Sequence, residues 1–494
     1  MAPPPAIRSK RLPVKGVVFW ASHFAIQSAL WEDAVKYRLL LALPALQEVL
    51  DENFRQIKYS LFPPLGLLIL GALTPRDRYD IVVRDEHVDR LRSCQDFDLV
   101  GMTVYASSAW RAYELAGIYR RCGAKVVLGG LHPTALPKEA AAHADAVCIG
   151  PAESVWPDIL RDFERGRLQK FYHGARQGSA ALVPLARRDL MNPKAYVVRN
   201  TVVTSRGCPH CCSFCYKAGF WGERYNETRP LADIERELAS LNGRYIAFLD
   251  DNLLGNRRHA RGIFRLLRGS GIVWQAGGSL DMTRDPSLLC EAYEAGCRSL
   301  FVGFESLSVN NMRSVNKKVN AVGDYAEAAR RLHDAGIMIN GSFVFGFDSD
   351  GPDVFDRTLD FAIENKIETA TFHILTPFPG TPLFSQMEAE GRLLHRNWAL
   401  YDALHAVFQP RRMSPSTLEE GYRRSYREFY RYGSILRRSI GLGGEMKRIA
   451  YNIGWKKMDM IWSLIIRCGL MPFARDVFER IIAGSRVLKT LSAE

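Results

Sequence analysis

Three cysteines lie close together near the middle of this 494-residue chain, at Cys208, Cys212 and Cys215. Their spacing, C-x₃-C-x₂-C, places three thiolates on one short loop. Thiolates are the ligands that hold iron–sulfur clusters and many structural zinc ions. The next cysteine, Cys290, lies too far along the chain for a ferredoxin-type spacing. A [4Fe–4S] cluster held by these three thiolates would therefore keep one iron open to a small molecule.

Other uses of these cysteines have to be weighed. A structural zinc site needs four nitrogen or sulfur ligands, and His210 and Cys211 are near enough in sequence to complete one. A disulfide framework is not indicated, because ten cysteines in a chain of this length are not the pattern of a small secreted domain. Cys211 itself falls outside the triad's spacing, and we interpret it as a loop residue.

Composition indicates a globular protein of several domains. Hydrophobic residues make up 47% of the chain and charged residues 24%. No stretch approaches the roughly 18 apolar residues that a membrane-spanning helix requires. The first residues carry charges but no apolar segment of the kind that a secretory signal contains. We therefore expect a cytoplasmic protein, in the reducing environment that an oxygen-sensitive cluster requires.

The net charge of +13 limits the classes of partner. A basic chain can bind nucleic acid, an anionic membrane surface or an anionic cofactor, or it can simply carry a solvated basic surface. Helix-turn-helix, zinc-finger and RNP-type motifs are absent from the sequence, so we do not expect a nucleic-acid partner.

Short apolar segments alternate with amphipathic segments around and beyond the cysteines, which predicts repeated strand–helix units. The strands are expected over residues 200–205, 245–251, 271–279, 299–306, 337–346 and 369–376, with helices over 228–242, 286–295, 321–335 and 354–365. Polar residues fall at the strand ends, where parallel strands would bring them together.

The first third of the chain shows the same alternation. Strands are expected over residues 14–21, 80–83, 97–104, 124–130 and 144–150, with helices over 31–58, from 62, over 109–122 and from about 153. Nearly all-apolar strands of this kind form parallel, doubly wound sheets, whose ligands lie beyond the carboxyl ends of the strands. There the chain has glycine- and hydroxyl-rich loops at 103–108, 129–134 and 150–153.

The cysteine triad followed by Tyr216 resembles the radical S-adenosylmethionine (SAM) superfamily. The resemblance implies a partial (β/α)₆ barrel whose [4Fe–4S] cluster binds SAM at the open iron and cleaves it to a 5′-deoxyadenosyl radical. It assigns the cluster to the three cysteines and SAM contacts to Tyr216, Asp250, Asp251, Ser279, Glu305, Gly341 and Ser342. An acid pair that ends a strand can also cap the next helix, and this alternative stays open for Asp250 and Asp251.

The first third resembles the cobalamin-binding domain that precedes many radical SAM modules. The similar segments are 62–67, 98–103, 126–134 and Gly150-Pro-Ala-Glu153. The resemblance implies cobalamin contacts at Thr103, Tyr105, Ser107, Ser108, Gly129, Gly130, His132, Gly150 and Glu153. The family's D-x-H-x-x-G element is absent; Asp85-Glu-His87 lacks its glycine, so we interpret His87 as a loop residue rather than a cobalt ligand. A vestigial domain that only packs on the barrel is the alternative.

The C-terminal part is predicted to be helical. Residues 392–410 resemble a segment that follows the barrel in such proteins, and residues 415–438 form a helix rich in arginine and tyrosine. Residues 445–466 form a basic amphipathic helix with Trp455 and Trp462. Such a helix either packs on the barrel or lies on a membrane surface.

We therefore expect an α/β chain with four parts. They are a Rossmann-like cobalamin-binding domain (1–170), a linker (171–195), a radical SAM (β/α)₆ barrel (196–400) and a C-terminal helical region (401–494). The layout resembles that of hopanoid methylases and the anaerobic Mg-protoporphyrin ester cyclase.

This resemblance implies methylation of an unactivated carbon of an apolar substrate, either a lipid or a tetrapyrrole-like molecule. It also implies an external one-electron reductant of the flavodoxin or ferredoxin type, and it is compatible with peripheral membrane contact. Two alternatives are an oxidative cyclase or other radical reaction without methyl transfer, and a cobalamin- or cluster-binding protein without catalytic activity.

Overall fold

The computed structural model describes residues 36–46, 49, 61–91, 96–222, 224–317, 320, 325–456, 465, 468, 470 and 472–475. These residues form two six-stranded parallel sheets and one small antiparallel pair of strands. Among the described residues, no helix is long and apolar enough to cross a membrane.

The first sheet has the strand order β2-β1-β3-β4-β5-β6, and all its neighbours pair in parallel. Its strands are β1 (Tyr37–Leu43), β2 (Tyr79–Asp85), β3 (Leu99–Thr103), β4 (Lys125–Gly129), β5 (Ala146–Ile149) and β6 (Phe171–His173). The last strand belongs to this sheet although it falls just inside the segment that we predicted as a linker.

Helices cover both faces of the first sheet, each with its own hydrophobic cluster. They are α1 (Leu65–Leu73), α2 (Ala109–Arg121), α3 (Leu131–Ala135), α4 (Pro137–His143) and α5 (Trp156–Glu164). Trp156 packs with β1 and β3 on one face, and Tyr119 packs on the other. The predicted Rossmann-like architecture is thus confirmed.

The helix predicted over residues 31–58 is wrong over residues 37–43, which form β1. This strand lies between β2 and β3, and Leu39, Leu40 and Leu41 are almost fully buried. Its run of consecutive apolar residues suits a strand that is covered on both faces, whereas we had followed the helical spacing of the leucines. The strand predicted over 14–21 lies outside the described residues.

The second sheet pairs its six strands in parallel and in sequence order, as a partial barrel does. Its strands are β7 (Thr201–Val202), β10 (Tyr245–Phe248), β11 (Val273–Gly278), β12 (Cys297–Glu305), β13 (Met338–Phe345) and β14 (Thr369–Ile374). The predicted six-stranded barrel is confirmed. The small antiparallel pair consists of β8 (Ser205–Gly207) and β9 (Asn226–Thr228).

Helices pack on the outer face of this second sheet around a core rich in phenylalanine. The helices of the barrel domain are α6 (Tyr216–Trp221), which directly follows the cysteine loop, α7 (Leu231–Ala239), α8 (Arg257–Leu267), α9 (Pro286–Glu294), α10 (Val309–Ser314), α11 (Tyr325–Asp334), α12 (Val354–Glu364) and α13 (Pro382–Ala389). Phe343 stacks on Phe304 and Phe372 from the two neighbouring strands, which ties β12, β13 and β14 together.

The C-terminal region is helical, as predicted, and packs on the barrel. It contains α14 (Pro415–Phe429), α15 (Tyr432–Ser439) and α16 (Glu445–Lys456), so the single helix predicted over 415–438 is two helices. The hydroxyl groups of Tyr426 and Tyr430 hydrogen-bond to the backbone of β14. In α16, Tyr451 and Asn452 are buried, so the described part of the basic helix packs against protein. Trp462 lies outside the described residues.

Candidate functional site

The cysteine loop lies between β8 and α6, beyond the carboxyl end of β7. Parallel barrels place their sites at this end of the strands. Gly207 makes the turn into the loop with φ +81°, and a Cβ there would lie 2.1 Å from the carbonyl oxygen of Tyr225. Only glycine fits this position, so the backbone itself fixes where the loop begins.

The three predicted ligands, Cys208, Cys212 and Cys215, are free and half-buried or buried. Burial raises the pKa of all three thiols, that of Cys212 to about 12. Bound iron would remove these protons, because a coordinating thiol is deprotonated outright.

A single-ion site is not formed here. Within the described ranges, no three or more His, Cys, Asp and Glu side chains are arranged to hold one metal ion, so the zinc interpretation with His210 and Cys211 has no ligand set. A cluster of several irons holds its thiolates farther apart than one ion does. Three thiols on one loop, one buried and two half-buried, fit a cluster of this kind.

A second segment, which follows α10, is hydrogen-bonded to the cysteine loop. The N–H of Ser213 donates to the carbonyl of Val315 at 3.0 Å. The side-chain amide of Asn316 donates to the carbonyl and Sγ of Cys211, at 3.2 and 3.1 Å. Cys211 is therefore held by Asn316, which agrees with its interpretation as a loop residue.

The neighbouring acids Asp250 and Asp251 have different partners. Asp250 is buried and accepts hydrogen bonds from the N–H and hydroxyl of Thr204, at 3.1 and 2.8 Å, and from the hydroxyl of Ser205 at 2.5 Å. Burial raises the pKa of Asp250. Its carboxylate thus fixes the chain that leads into the cysteine loop.

Asp251 lies at the barrel mouth. Its carboxylate accepts the N–H of Gly207 at 3.1 Å and forms an ion pair with Lys217 at 2.6 Å. Burial acts to lower the pKa of Lys217, but Tyr216, Asp251 and Cys215 outweigh it and raise the pKa overall. Lys217 directly follows the predicted SAM contact Tyr216 but was not itself predicted as a site residue.

Asn252 follows these two acids beyond the carboxyl end of β10. It is 3% exposed, and its amide nitrogen lies 3.0 Å from the hydroxyl of Ser279 and 4.0 Å from Sγ of Cys208. Ser279 in turn donates to Asp281. The amide oxygen of Asn252 is buried and has no hydrogen-bond partner among the described residues. Buried acceptors of this kind are rare unless a ligand satisfies them, so the site fits a ligand that donates hydrogen bonds.

Glu305 ends β12 in a left-handed conformation, with φ +64°. Its carboxylate forms an ion pair with Lys317, another residue that we had not predicted, and accepts a hydrogen bond from Ser342 at 3.4 Å. A residue other than glycine in this conformation is strained, and such strain concentrates at functional sites. Gly341 lies elsewhere: a Cβ on it would be 3.0 Å from the ring of Phe343, so it packs in the core.

A cavity of about 530 Å³, here called the inner cavity, lies between the carboxyl ends of the first sheet and α6. Its wall from the first domain includes six of the predicted cobalamin contacts, namely Thr103, Tyr105, Gly129, Gly130, Gly150 and Glu153. Its wall from the barrel domain includes Arg206, Tyr216, Lys217 and Asp251. One space therefore joins the first domain to the surroundings of the cysteine loop.

Two residues of the inner cavity, Gly130 and Glu153, have structural reasons for their residue type. Gly130 has φ +99°, and a Cβ on it would lie 2.9 Å from Oγ1 of Thr103, so a side chain is excluded. Glu153 forms an ion pair with Arg206, which precedes the cysteine loop. This pair crosses from the first domain to the barrel at the wall of the cavity.

A second cavity of about 460 Å³, the outer cavity, lies beside the inner one. The two share Tyr105, Leu131, Tyr216 and Phe220 as lining residues. The other predicted cobalamin contacts, Ser107, Ser108 and His132, line only the outer cavity. Apolar side chains and the turn Phe378-Pro379-Gly380 after β14 provide much of the remaining wall.

Two histidines of the outer cavity are held by carboxylates. His87 lies in the loop after β2, with Nδ1 2.8 Å from Asp85, so it lines the cavity rather than the outer surface. His132 is buried, which lowers its pKa, and its Nε2 lies 3.0 Å from Glu139. Glu139 also accepts a hydrogen bond from Trp398 at 3.0 Å, which ties the segment after the barrel to the first domain.

Comparison with known families divides the chain in the same way as the structure does. Residues 59–160 match the B12 binding domain, and residues 202–362 match the Radical SAM superfamily. Residues 381–490 match a domain of unknown function, DUF4070.

Curated relatives cover most of the chain. It is 31% identical over 389 residues to bacteriochlorophyllide d C-12(1)-methyltransferase of Chlorobaculum tepidum, covering 76% of this chain and 85% of that one. It is 30% identical over 411 residues to bacteriochlorophyllide d C-8(2)-methyltransferase of the same organism, covering 80% and 91%.

Solved structures share the fold. The cobalamin-dependent SAM radical enzyme OxsB with aqua-cobalamin aligns with a TM-score of 0.62 at 14% identity, covering 89% of this chain and 73% of that one. The radical SAM methyltransferase TsrM from Kitasatospora setae, with cobalamin and a [4Fe–4S] cluster, gives 0.57 at 17% identity, covering 90% and 100%. The relatives and the two cofactor domains together lead to one conclusion: the chain belongs to the cobalamin-dependent radical SAM methyltransferase family, whose cofactors are a [4Fe–4S] cluster, SAM and cobalamin.

Proposed function

We propose that this protein methylates an unactivated carbon of an apolar, tetrapyrrole-like molecule. The observation that carries the proposal is the meeting of the inner and outer cavities at Tyr216 and Phe220, directly after the cysteine loop. Two large ligands can approach the barrel mouth there from adjoining spaces. The chain's two relatives at 30 and 31% identity act on bacteriochlorophyllide d, which supports a substrate of this class.

In this proposal, Cys208, Cys212 and Cys215 hold three irons, and the fourth iron is left for SAM. When bound, these cofactors supply a 5′-deoxyadenosyl radical that removes a hydrogen atom from the substrate, and cobalamin supplies a methyl group that comes from a second SAM. The chain's own part is to place the ligands side by side and to exclude water from the space between them. The burial of the three thiols supports this assignment.

We assign SAM to the carboxyl ends of β10, β11, β12 and β13. The unpartnered amide oxygen of Asn252 suits the ammonium group of SAM, and Ser279 lies beside it. Asp251 and its partner Lys217 form the wall next to this position, close to Tyr216. The Glu305 carboxylate, with Ser342 beside it, suits a ribose hydroxyl.

Two of the residues first assigned to SAM have other roles in this proposal. Asp250 positions the β7–β8 connection through Thr204 and Ser205. Gly341 allows β13 to pack closely on the core. Neither is assigned a contact with SAM.

We assign cobalamin to the inner cavity. The backbone of Gly129 and Gly130, with Thr103 beside them, allows a bulky ligand to approach the strand ends closely. Tyr105 is 48% exposed although protein surrounds it, because its side chain faces the cavities. A real cavity at this position argues against a vestigial domain that only packs on the barrel.

The outer cavity is assigned to the substrate. Its wall includes Leu131, Ile149, Phe220 and Phe378, which suit an apolar body. A lipid would fit the same chemistry, and a hopanoid C-2 methylase of Rhodopseudomonas palustris is 24% identical, covering 68% of this chain and 66% of that one. The higher identity to the bacteriochlorophyllide enzymes favours the tetrapyrrole-like substrate.

Two kinds of partner belong to the proposal. The cluster needs an external one-electron donor, for which a flavodoxin or ferredoxin is the suitable class. A peripheral membrane contact would suit an apolar substrate, and exposed Tyr432, Leu436 and Ile440 with the exposed Arg437 support one on α15.

The decisive experiment supplies anaerobically reconstituted protein with reductant, cobalamin, bacteriochlorophyllide d and SAM that carries a deuterated methyl group. Mass spectrometry should find the deuterated methyl group in the product and 5′-deoxyadenosine in the mixture. Release of 5′-deoxyadenosine with an altered but unlabelled product would instead indicate the cyclase type of reaction, to which Mg-protoporphyrin cyclase of Cereibacter sphaeroides, 24% identical, is related. Release of none would indicate a protein without catalytic activity.

A further inference from the structure

The outer cavity has an apolar body but four ionisable groups in its wall apart from tyrosines, namely His87, His132, Arg176 and Asp402. An apolar substrate would leave these groups without a function. Their partners within the protein therefore indicate which of them can serve a ligand.

Three of the four are committed to neighbouring groups. His132 is buried against Glu139, and burial lowers its pKa. Asp402 accepts the N–H groups of Leu404 and His405 at 2.8 and 3.2 Å, and the ring of His405 lies 2.9 Å from its carboxylate. His87 is hydrogen-bonded to the carboxylate of Asp85.

Arg176 differs from these three groups. Its guanidinium donates one hydrogen bond, to the carbonyl of Gly219 at 3.3 Å, and forms no ion pair with any described carboxylate. A guanidinium carries five N–H donors, so most of its capacity is unused. Its side chain is exposed at the edge of the cavity, where one end of a ligand would meet solvent.

The backbone that carries this arginine is held firmly. The hydroxyl of Tyr225 donates to the carbonyl of Arg176. Farther along, the N–H groups of Gly178 and Ala180 donate to Glu227 at 2.9 and 3.0 Å. These bonds fix where the side chain of Arg176 begins, so a ligand contact would have to order only the side chain.

We propose that Arg176 binds an anionic group, most simply a carboxylate, at the edge of a substrate whose apolar body fills the outer cavity. The inference rests on the function proposed above and adds a requirement on the substrate. A guanidinium pairs with a carboxylate through two parallel hydrogen bonds, which fixes orientation as well as affinity. Arg176 would thus set which edge of a flat molecule faces the cysteine loop.

The simpler interpretation is that Arg176 only stabilises the end of α6 through the carbonyl of Gly219. That contact is one hydrogen bond at 3.3 Å, near the outer limit for a favourable geometry. This hydrogen bond uses one donor of the guanidinium. It does not explain why the guanidinium lies at the edge of the outer cavity.

The test compares two probes on the cobalamin- and cluster-loaded full chain, protoporphyrin IX with free carboxylates and its dimethyl ester. Porphyrin fluorescence reports equilibrium binding. The unmodified protein should bind the free acid about fivefold to tenfold more tightly, the range expected for one partly exposed charge-assisted pair. Arg176→Gln should remove this preference and leave binding of the ester unchanged, whereas Arg176→Lys should retain part of it.

Arg165→Gln is the matched control, because Arg165 is exposed on the first domain and does not line the outer cavity. It should keep the full preference for the acid. Equal binding of both probes by the unmodified protein, or a preference that persists in Arg176→Gln, would overturn the role of Arg176 while leaving the proposed function intact. Failure of both probes to bind would count against the tetrapyrrole-like substrate itself, and the inference would fall with it.

Discussion

The two ends of the barrel use the same types of charged residue to different effect. At the carboxyl end of the strands, Asp251 pairs with Lys217 and Glu305 with Lys317, and the first of these pairs lines the inner cavity. At the amino end, Glu368 pairs with Arg448 under α16. All three are pairs of a carboxylate with a cationic side chain. We assign a binding role to a pair that borders a cavity and a structural role to a pair that does not.

At the amino end, buried polar groups contact α15 and α16. Glu368 is 2% exposed and also accepts the N–H of Ile339 at 2.9 Å. Arg438, which is 1% exposed, donates to the carbonyls of Ile367, Glu368 and Phe429. Removing one partner at such a position should destabilise the fold, because a buried charge without its partner is costly.

The carboxyl end adjoins the inner cavity. A buried amide oxygen on Asn252 has no partner among the described residues, and Glu305 holds a strained backbone conformation. Features of this kind cost stability and persist where they serve a ligand. We therefore expect substitutions at the carboxyl end to affect mainly activity and substitutions at the amino end to affect mainly stability.

The largest effect is expected at the cysteine loop. Cys208→Ala, Cys212→Ala or Cys215→Ala should remove the visible absorbance of the reconstituted cluster and all release of 5′-deoxyadenosine, because each is assigned an iron. Cys211→Ala is the control, since Cys211 contacts Asn316 instead. Absorbance that survives in a triad variant, or disappears in the control, would contradict the ligand assignment.

At the amino end, Glu368→Gln should lower the free energy of unfolding by about 3–5 kcal/mol, because it leaves Arg448 buried without a carboxylate. Denaturant unfolding measures this change. The variant should still build the cluster once folded. Glu327→Gln, on the exposed face of α11, should leave stability nearly unchanged. Equal stability of the two variants would contradict the structural role of the amino end.

His333 gives the amino end a pH dependence. Burial, followed by the charge of Arg448, lowers the pKa of His333 to about 4. Because this value is below that of the unfolded chain, the folded state favours the neutral ring, and stability is fullest above about pH 6.5. It should fall by up to about 3 kcal/mol as the pH falls from 6.5 to 4. In His333→Gln, the free energy of unfolding measured at pH 7, 6 and 5 should depend less on pH. The same pH dependence in the variant and the unmodified protein would contradict this role of His333.

The neighbours Asp250 and Asp251 sharpen the comparison within the carboxyl end. Asp251→Asn weakens the pair with Lys217 and should lower the rate of 5′-deoxyadenosine release by about tenfold or more, or about 1.4 kcal/mol in the barrier, with little change in melting temperature. Asp250→Asn weakens the bonds to Thr204 and Ser205 and should lower stability by about 1–3 kcal/mol. Identical effects of the two variants would contradict the assignment of Asp251 to the site and of Asp250 to stability.

Much of the barrel could be predicted from sequence because its strands are uninterrupted apolar runs that end in polar residues. The predicted strand over 337–346 corresponds to β13, Met338–Phe345, and the spacing of the cysteines alone indicated a cluster loop. Strand β1 was missed because a run of leucines satisfies both helical and strand periodicities. Only the neighbouring strands β2 and β3 decide between them.

The residues missed at the site share one property. Lys217 and Lys317 become part of it through contacts with residues elsewhere along the chain, Asp251 and Glu305. A single sequence carries no signal for such pairs. By contrast, Gly130 was predicted from its place after a strand, and the structure gives the physical reason, a backbone conformation that excludes a side chain.

The contacts that cross between the domains have a consequence for assembly. Glu153 pairs with Arg206 at the wall of the inner cavity, and Glu139 binds Trp398 farther out. These contacts hold the first domain against the barrel beside the proposed cobalamin position. We therefore expect Glu153→Gln to take up added cobalamin faster than the unmodified folded protein, as followed by visible absorbance.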